Sequence, residues 1–184
     1  MTRFSLAAVA AALLLAACTG GVPTTQSAGG SYTITRWQAR KIPARFLEAL
    51  NRVRAAEGLA PVELDQTLTL AATIHSRDMA RQQRPWTWGS DGSSPIDRAR
   101  RAGFTGRYLG EAISETYENE LVTLAAWVDD KASRRVVLHP EARLVGLGWY
   151  QEPDGKIWWT LEVGAPAAEG EAVAAGSAPA TAGG

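Results

Sequence analysis

A single cysteine, Cys18, stands in the chain of 184 residues, so no disulfide can close within it. The fold has to be held by an apolar core alone, and a thiol nucleophile is excluded once that sulfur carries lipid. Histidine is nearly as scarce, with only His75 and His139. A zinc site needs three or four converging ligands, and the sequence has no HxxxH, no Cys/His cluster and no close mixed set. No metal and no cofactor is expected. Neither sign of charge is in excess, with 19 basic and 19 acidic residues. A nucleic-acid binder would need a basic surplus or stripe, so that class is set aside. A Gly-x-Ser-x-Gly motif is absent, and so is a second long apolar run that could span a membrane.

The first apolar run belongs to MTRFSLAAVAAALLLAAC, where Arg3 precedes a stretch too short for a mature membrane span. Residues 1–17 read as a secretory signal peptide. Its end, Leu15-Ala16-Ala17-Cys18, resembles the lipobox of bacterial lipoproteins, which implies acylation of Cys18 and a membrane partner reached through that anchor. Loss of residues 1–17 removes one basic residue, Arg3, and leaves the chain close to neutral. Residues 18–35 read as the lipidated cysteine and a flexible tether, and residues 165–184, rich in Ala, Gly and Pro, as a disordered tail. A domain of ordinary size remains over residues 36–164.

Within it, Ile42, Phe46, Leu50 and Val53, widened by Leu47, recur at helical spacing and Gly58 ends the run. A second helix is expected from Asp65 to about Gln83, with Leu68, Ala71, His75 and Met79 on one stripe and Leu64 just upstream. Arg84-Pro85 closes it. Ser94-Pro95-Ile96-Asp97 carries an N-cap, a first-turn proline and an acid for a short third helix, ending near Gly103. Tyr108 to Thr116 is a strand candidate. A fourth helix, capped by Asn119 or Thr116, should turn Leu121, Leu124, Ala125 and Val128 inward. Two strands, Leu144 to Gln151 and Lys156 to Val163, flank the turn signal Pro153-Asp154-Gly155. Trp158 and Trp159 must face opposite ways. Helices first and a small antiparallel sheet late make an α+β protein, with the sheet between helical layers.

Chemistry has few carriers here. His75, on an apolar stripe, reads as a core histidine with one ring nitrogen hydrogen-bonded, and His139, between Leu138 and Pro140, as a turn residue. Glu111, Glu115, Asp129 and Asp130 lie near element ends, and an acid and base from such a set is the minimum for glycosidic cleavage. Arg98, Arg100, Arg101 and Arg107 surround the third helix, as a solvated face or as an anion site. Trp86 and Trp88 sit beside the polar loop Ser90–Ser94, either packed against the second helix or displayed as a ligand platform.

The order of these pieces resembles the CAP superfamily, whose unit is the SCP domain. The resemblance runs through His75-Ser76-Arg77-Asp78-Met79-Ala80, Ser90-Asp91-Gly92-Ser93-Ser94-Pro95 with Asp97-Arg98, Gly110-Glu111, Trp127, Leu138-His139-Pro140, Val145-Gly146-Leu147-Gly148 and Trp159-Thr160. It implies a three-layer α-β-α sandwich and a cleft of two His and two acids that binds a divalent metal in some members. Carried over by position, those four are Thr87, Glu111, Asp130 and Ser133: both carboxylates stand and both imidazoles are replaced. Thr and Ser neither hold zinc as imidazoles do nor shuttle a proton near neutral pH. The carboxylates are then expected to pair with Arg84, Arg134 or Arg135. The resulting expectation is a lipid-anchored envelope protein that binds a cell-wall glycan, peptide or lipid without catalysis, through Trp86, Thr87, Trp88, Glu111, Asp130 and Ser133. Two rival expectations are a cell-wall hydrolase using Glu111 and Asp130, and an interaction module acting through the tail.

Overall fold

The structure, a computed structural model, describes residues 32–167. The signal peptide, Cys18 and the tail beyond residue 167 lie outside the described residues. Helix α1 (Arg36–Ala56) begins at a capping box, in which Thr35 and Gln38 satisfy each other's backbone N–H groups. Its buried stripe is Ile42, Phe46, Leu50 and Arg54, so Arg54 rather than the half-buried Val53 completes it. A fully buried guanidinium is tolerated because it donates to the carbonyls of Ala60, Val137, His139 and Ala142. Residues 32–35 do not behave as tether: Tyr32 and Ile34 pack on the core, and Gln151 bonds both of their backbones.

Strand β1 (Glu63–Leu64) is too short to leave a pattern in the sequence, and Leu64 is exposed there instead of joining a helical stripe. Helix α2 (Gln66–Gln82) starts at the Asp65 cap and ends at Gln83 in left-handed geometry, φ 51°. Helix α3 (Pro95–Arg101) follows from the Ser94–Asp97 capping box. Strand β2 (Arg107–Thr116), helix α4 (Glu120–Asp129), helix α5 (Lys131–Val137), strand β3 (Leu144–Gln151) and strand β4 (Ile157–Ala165) complete the chain, so Ala165 belongs to a strand and not to the tail.

The strands form one sheet in the order β1-β3-β4-β2. β3 and β4 are antiparallel, as are β2 and β4, but β1 runs parallel to β3, so the sheet is mixed where an antiparallel one was expected. Alternation along the strands gives it two unlike faces. Val145, Leu147, Ile157, Trp159, Leu161, Val163 and Ala112 meet Ile42, Phe46, Leu50, Leu124, Trp127 and Val137 from α1, α4 and α5. The other face carries Gly146, Gly148, Trp158, Thr160 and Glu162 under α2 and α3. Trp158 and Trp159 are both fully buried, one on each face.

Helix α4 is rotated from the expected orientation. Thr123, Leu124 and Trp127 are buried, whereas Leu121 and Ala125 are exposed. Trp127 decides this: its ring meets Phe46 edge-on at 6.3 Å and its Nε1 donates to the Ile113 carbonyl at 3.1 Å. Helix α5 arises because Asp130 caps a second start immediately after α4.

Contact between α2 and β3 is closer than side chains permit. A Cβ at Gly146 would stand 2.1 Å from the Leu68 backbone, and one at Gly148 2.2 Å from Thr73 N. Gly148→Ala should therefore cost about 3 kcal/mol or more, since backbone cannot step aside as a side chain can. Gly58→Ala, at φ 69° in open space, should cost only about 1 kcal/mol of backbone strain. Urea unfolding of the two variants checks the order, and a larger loss at Gly58 would contradict the packing argument.

Candidate functional site

The site is built where α2 ends. Arg84-Pro85 turns the chain out of the helix, and residues 85–93 fold back over its last turns. Asp78 is the anchor, accepting from the Ser90 amide at 2.7 Å, the Ser90 hydroxyl at 2.6 Å, Arg81 at 2.7 Å and Gln82 at 2.9 Å. Burial pushes its carboxyl up, but the Ser90 and Arg81 contacts outweigh that and hold it below the usual range. Inside the loop, Asp91 accepts from the Ser93 amide and hydroxyl and from Arg101. The loop is thus stiff, and it displays two indoles: Trp86 is 41% and Trp88 49% exposed. The Arg84 guanidinium covers one face of Trp86 at 3.8 Å. Alongside, Leu70 and Ile74 on the outer side of α2 line an open groove of about 260 Å³ with Asp78, Ser90, Asp91 and Arg101.

Beneath the loop lies a buried polar cluster. Arg98, 5% exposed at its side chain, donates to the Thr87 and Ser93 carbonyls at 2.9 and 3.1 Å and to Glu111 at 2.5 Å. Glu111 stands opposite Glu162 in the β2–β4 register, and Tyr108 donates to Glu162 at 2.5 Å. Tyr108 and Glu111 reach the same face because β2 carries a bulge between Tyr108 and Gly110, which restores by one residue the alternation that would have parted them. His75, fully buried, holds Nε2 3.7 Å from the Glu111 carboxyl. Neither of its ring nitrogens closes a hydrogen bond of ordinary geometry, although the Trp86 backbone comes near, so the expected single ring hydrogen bond is missing.

These surroundings set the protonation. Burial pushes Glu111 up to about 7 against the pull of Arg98. Burial and the Glu111 charge raise Glu162 well above the usual carboxylate range. Burial first, then Arg98, lowers His75 to about 4. Glu111 Oε1 and Glu162 Oε1 have no N–H or O–H donor. A proton held between the two carboxyls is the partner each lacks, because two like charges side by side in a dry site cannot both persist. At neutral pH the cluster therefore sets a proton-holding carboxyl pair and a neutral imidazole beside the Arg98 side chain.

The four positions singled out by resemblance fall into two separate pairs. Thr87 is exposed, with its carbonyl on Arg98, and through that guanidinium it joins Glu111, whose side chain is 3% exposed. Asp130 is the N-cap of α5, accepting from the Ala132 and Ser133 amides at 3.1 and 2.8 Å. The Ser133 amide and hydroxyl hold its carboxyl below the usual range. No hydrogen bond or ion pair among the described residues joins one pair to the other, and none of their His, Cys, Asp and Glu side chains group as a metal set. The expected arginine partners are corrected for Glu111, whereas the Arg135 charge does help to lower Asp130. Glu111 pairs with Arg98, drawn from the cluster read as a solvated face or an anion site, while Arg84 stacks on Trp86 and Arg134 pairs with Glu57. His139 takes its turn role, its Nδ1 accepting from the Glu141 amide. Elsewhere Glu115 pairs with Lys156.

Two members of the cluster escaped the reading of the sequence. Glu162 had a signal, as a lone acid among the apolar residues of a strand covered on both sides. Tyr108 had none, because the bulge that aims it leaves no mark in composition.

Residues 47–163 match the model of the cysteine-rich secretory protein family, CAP. The chain belongs to the CAP family. Over 125 residues it is 28% identical to the uncharacterised protein YkwD of Bacillus subtilis, which is 65% of this chain and 46% of that one. An extracellular SCP-domain protein of Bacillus anthracis superposes with a TM-score of 0.63 at 19% identity, over 73% of this chain and 45% of its own. An outer surface protein of Borrelia burgdorferi gives 0.61 at 12% identity, over 70% and 95%. The CAP chain thus spans less than half the length of the two Bacillus relatives, and the two solved structures share its fold.

Two outcomes follow from the buried cluster. Arg98→Met should cost about 3–5 kcal/mol, because it strands the carboxyls and frees two loop carbonyls, and adding Glu111→Gln should recover part of that loss. Chemical denaturation of the single and double variants checks this, and strict additivity would contradict it. The pH profile has a worked sign. Glu111, raised to about 7, contributes stability that is full below about 4.5 and lost toward 7; His75, lowered to about 4, contributes stability that is full above about 6.5 and lost toward 4. Between 4.5 and 6.5 the His75 gain offsets only part of the Glu111 and Glu162 losses, and above that range those losses stand alone. The Tm should therefore fall as the pH rises from 4.5 to 6.5 and again from 6.5 to 8.5, with the fall reduced in Glu162→Gln. A Tm that rises over that upper interval would contradict a buried shared proton.

Proposed function

We propose that this CAP protein is a non-catalytic binding module of the bacterial cell envelope, held to a membrane through acylated Cys18, that engages a cell-wall glycan or peptide with Trp86 and Trp88. The observation that carries the reading is the display of two half-exposed indoles on a loop pinned by Asp78 on one side and Arg98 on the other. Ordered loops that hold large rings in water lose little entropy on binding, and indole faces suit the C–H faces of sugars and apolar side chains. Trp88 stands open, whereas Trp86 is already covered on one face by Arg84, which leaves its other face for a ligand. The extracellular and outer-surface descriptions of the structural relatives accord with an envelope setting.

The hydrolase alternative draws less support. Glu111 is buried and held by Arg98, and Asp130, although exposed, caps α5 with no hydrogen bond or ion pair joining it to Glu111, so the two are not presented together as an acid and a base. The alternative through the tail rests on residues outside those described.

Purified peptidoglycan sacculi, incubated with residues 31–167, test the proposal. Protein should sediment with the sacculi, no soluble fragments should appear, and Trp88→Ala should weaken binding about tenfold, the equivalent of about 1.4 kcal/mol. Near-UV circular dichroism of the variant verifies its fold. Release of soluble fragments would make the protein a hydrolase, and unchanged binding in Trp88→Ala would remove the platform.

A further inference from the structure

The first two turns of α1 carry a surface that the tryptophan loop does not use. Arg36, Trp37, Arg40 and Lys41 are all exposed, and Trp37 is 63% exposed, more than any other large apolar side chain described. Lys41 Nζ sits 3.7 Å over its ring. No acid stands in the first turn. The next cation along, Arg45, is already paired with Glu120 at 2.7 Å, so Arg36, Arg40 and Lys41 form the available charge.

This arrangement is unfavourable to the isolated fold. The N-terminal end of a helix is its positive end and favours acids, whereas three cations gather here. An indole left this far in water contributes almost nothing to the core. The helix's own terminal N–H groups are served by the Thr35–Gln38 box, so the surface consists of side chains and not of a helix end seeking an anion. It is also firmly placed, because Tyr32 and Ile34 pack on the core and Gln151 holds the backbone at both.

We propose that this basic and aromatic face of α1 docks the domain onto an anionic bilayer surface. Cations attract the charged headgroups, and the indole enters the interfacial layer where amphipathic rings are at home. The position fits, since residues 19–31 lead directly from Cys18 to this end of the domain. That argument of position rests on the anchor reading above, whereas the charge and the exposed ring stand without it. A docked α1 gives the tethered domain one orientation in place of free tumbling about its tether.

The test uses the chain from Thr19 to Gly184, without the leader and Cys18, so that its outcome does not depend on acylation. Mass measurement of the exported protein judges the anchor separately. Vesicles of phosphatidylcholine, with and without phosphatidylglycerol, are floated with the protein, and brominated acyl chains report contact with Trp37 by the quenching lost in Trp37→Phe. Partitioning should be on the order of a hundredfold stronger on the anionic vesicles, at roughly fivefold per cation. It should fall in 0.5 M salt and in the Arg36→Gln/Arg40→Gln/Lys41→Gln variant, while Arg135→Gln leaves it unchanged. Absence of Trp37 quenching on anionic vesicles would overturn the proposal, as would equal binding to neutral ones. Binding to soluble poly-glutamate in place of vesicles would reassign the surface to an acidic polymer.

Discussion

The guanidinium of Arg98 is the group on which the α2 side of this domain depends. It is buried, it touches two backbone carbonyls of the tryptophan loop, and it faces the paired carboxyls Glu111 and Glu162, which burial pushes toward the protonated form. A lone cation in such a place would be expelled, and a lone carboxyl would be neutralised. Together they tolerate burial, and the joint they form ties α3, the loop and strands β2 and β4 into one unit. The loop's shape is thus a consequence of what lies under it. Where the CAP resemblance implies an imidazole, Thr87 contributes only its carbonyl, and Arg98 takes it.

A second constraint is steric and works with the first. Gly146 and Gly148 let the backbone of α2 settle onto β3 without intervening side chains. The helix then lies low enough for Ser76 to reach Thr160, and for His75 to approach Glu111. On the opposite face the sheet is dressed with large apolar groups, Trp159 and Leu161 among them, and side chains of α1, α4 and α5 pack on them. The sheet therefore has a close, polar side and a wide, apolar side. The apolar side stabilises the domain, and the polar side shapes the loop that displays Trp86 and Trp88.

Much of this was legible beforehand. Caps at Asp65 and Ser94, the turn at 153–155 and the alternation of Trp158 and Trp159 are local signals, and the elements they mark appear where they point. What failed failed for physical reasons. The rotation of α4 was misjudged because apolar periodicity weighs Leu121 and Ala125 as heavily as Trp127, whereas in the fold the largest ring and its one N–H decide. Arg54 passed unnoticed because a charged residue on an apolar stripe is read as surface until four carbonyls are seen around it.

By itself, the sequence determined the α+β class, the order of the elements other than β1 and α5, and the presence of two tryptophans beside a polar loop. Those depend on residue identity and on neighbours a few positions away, which a one-dimensional string contains. Only the tertiary structure decided that β1 pairs in parallel, that a bulge turns Tyr108 toward Glu162, that Arg98 and not Arg84, Arg134 or Arg135 meets Glu111, and that Asp130 caps a helix apart from it. Each of these joins residues distant in the chain. Which charge meets which is set by the backbone that brings them together, and burial then decides which of them keep their protons.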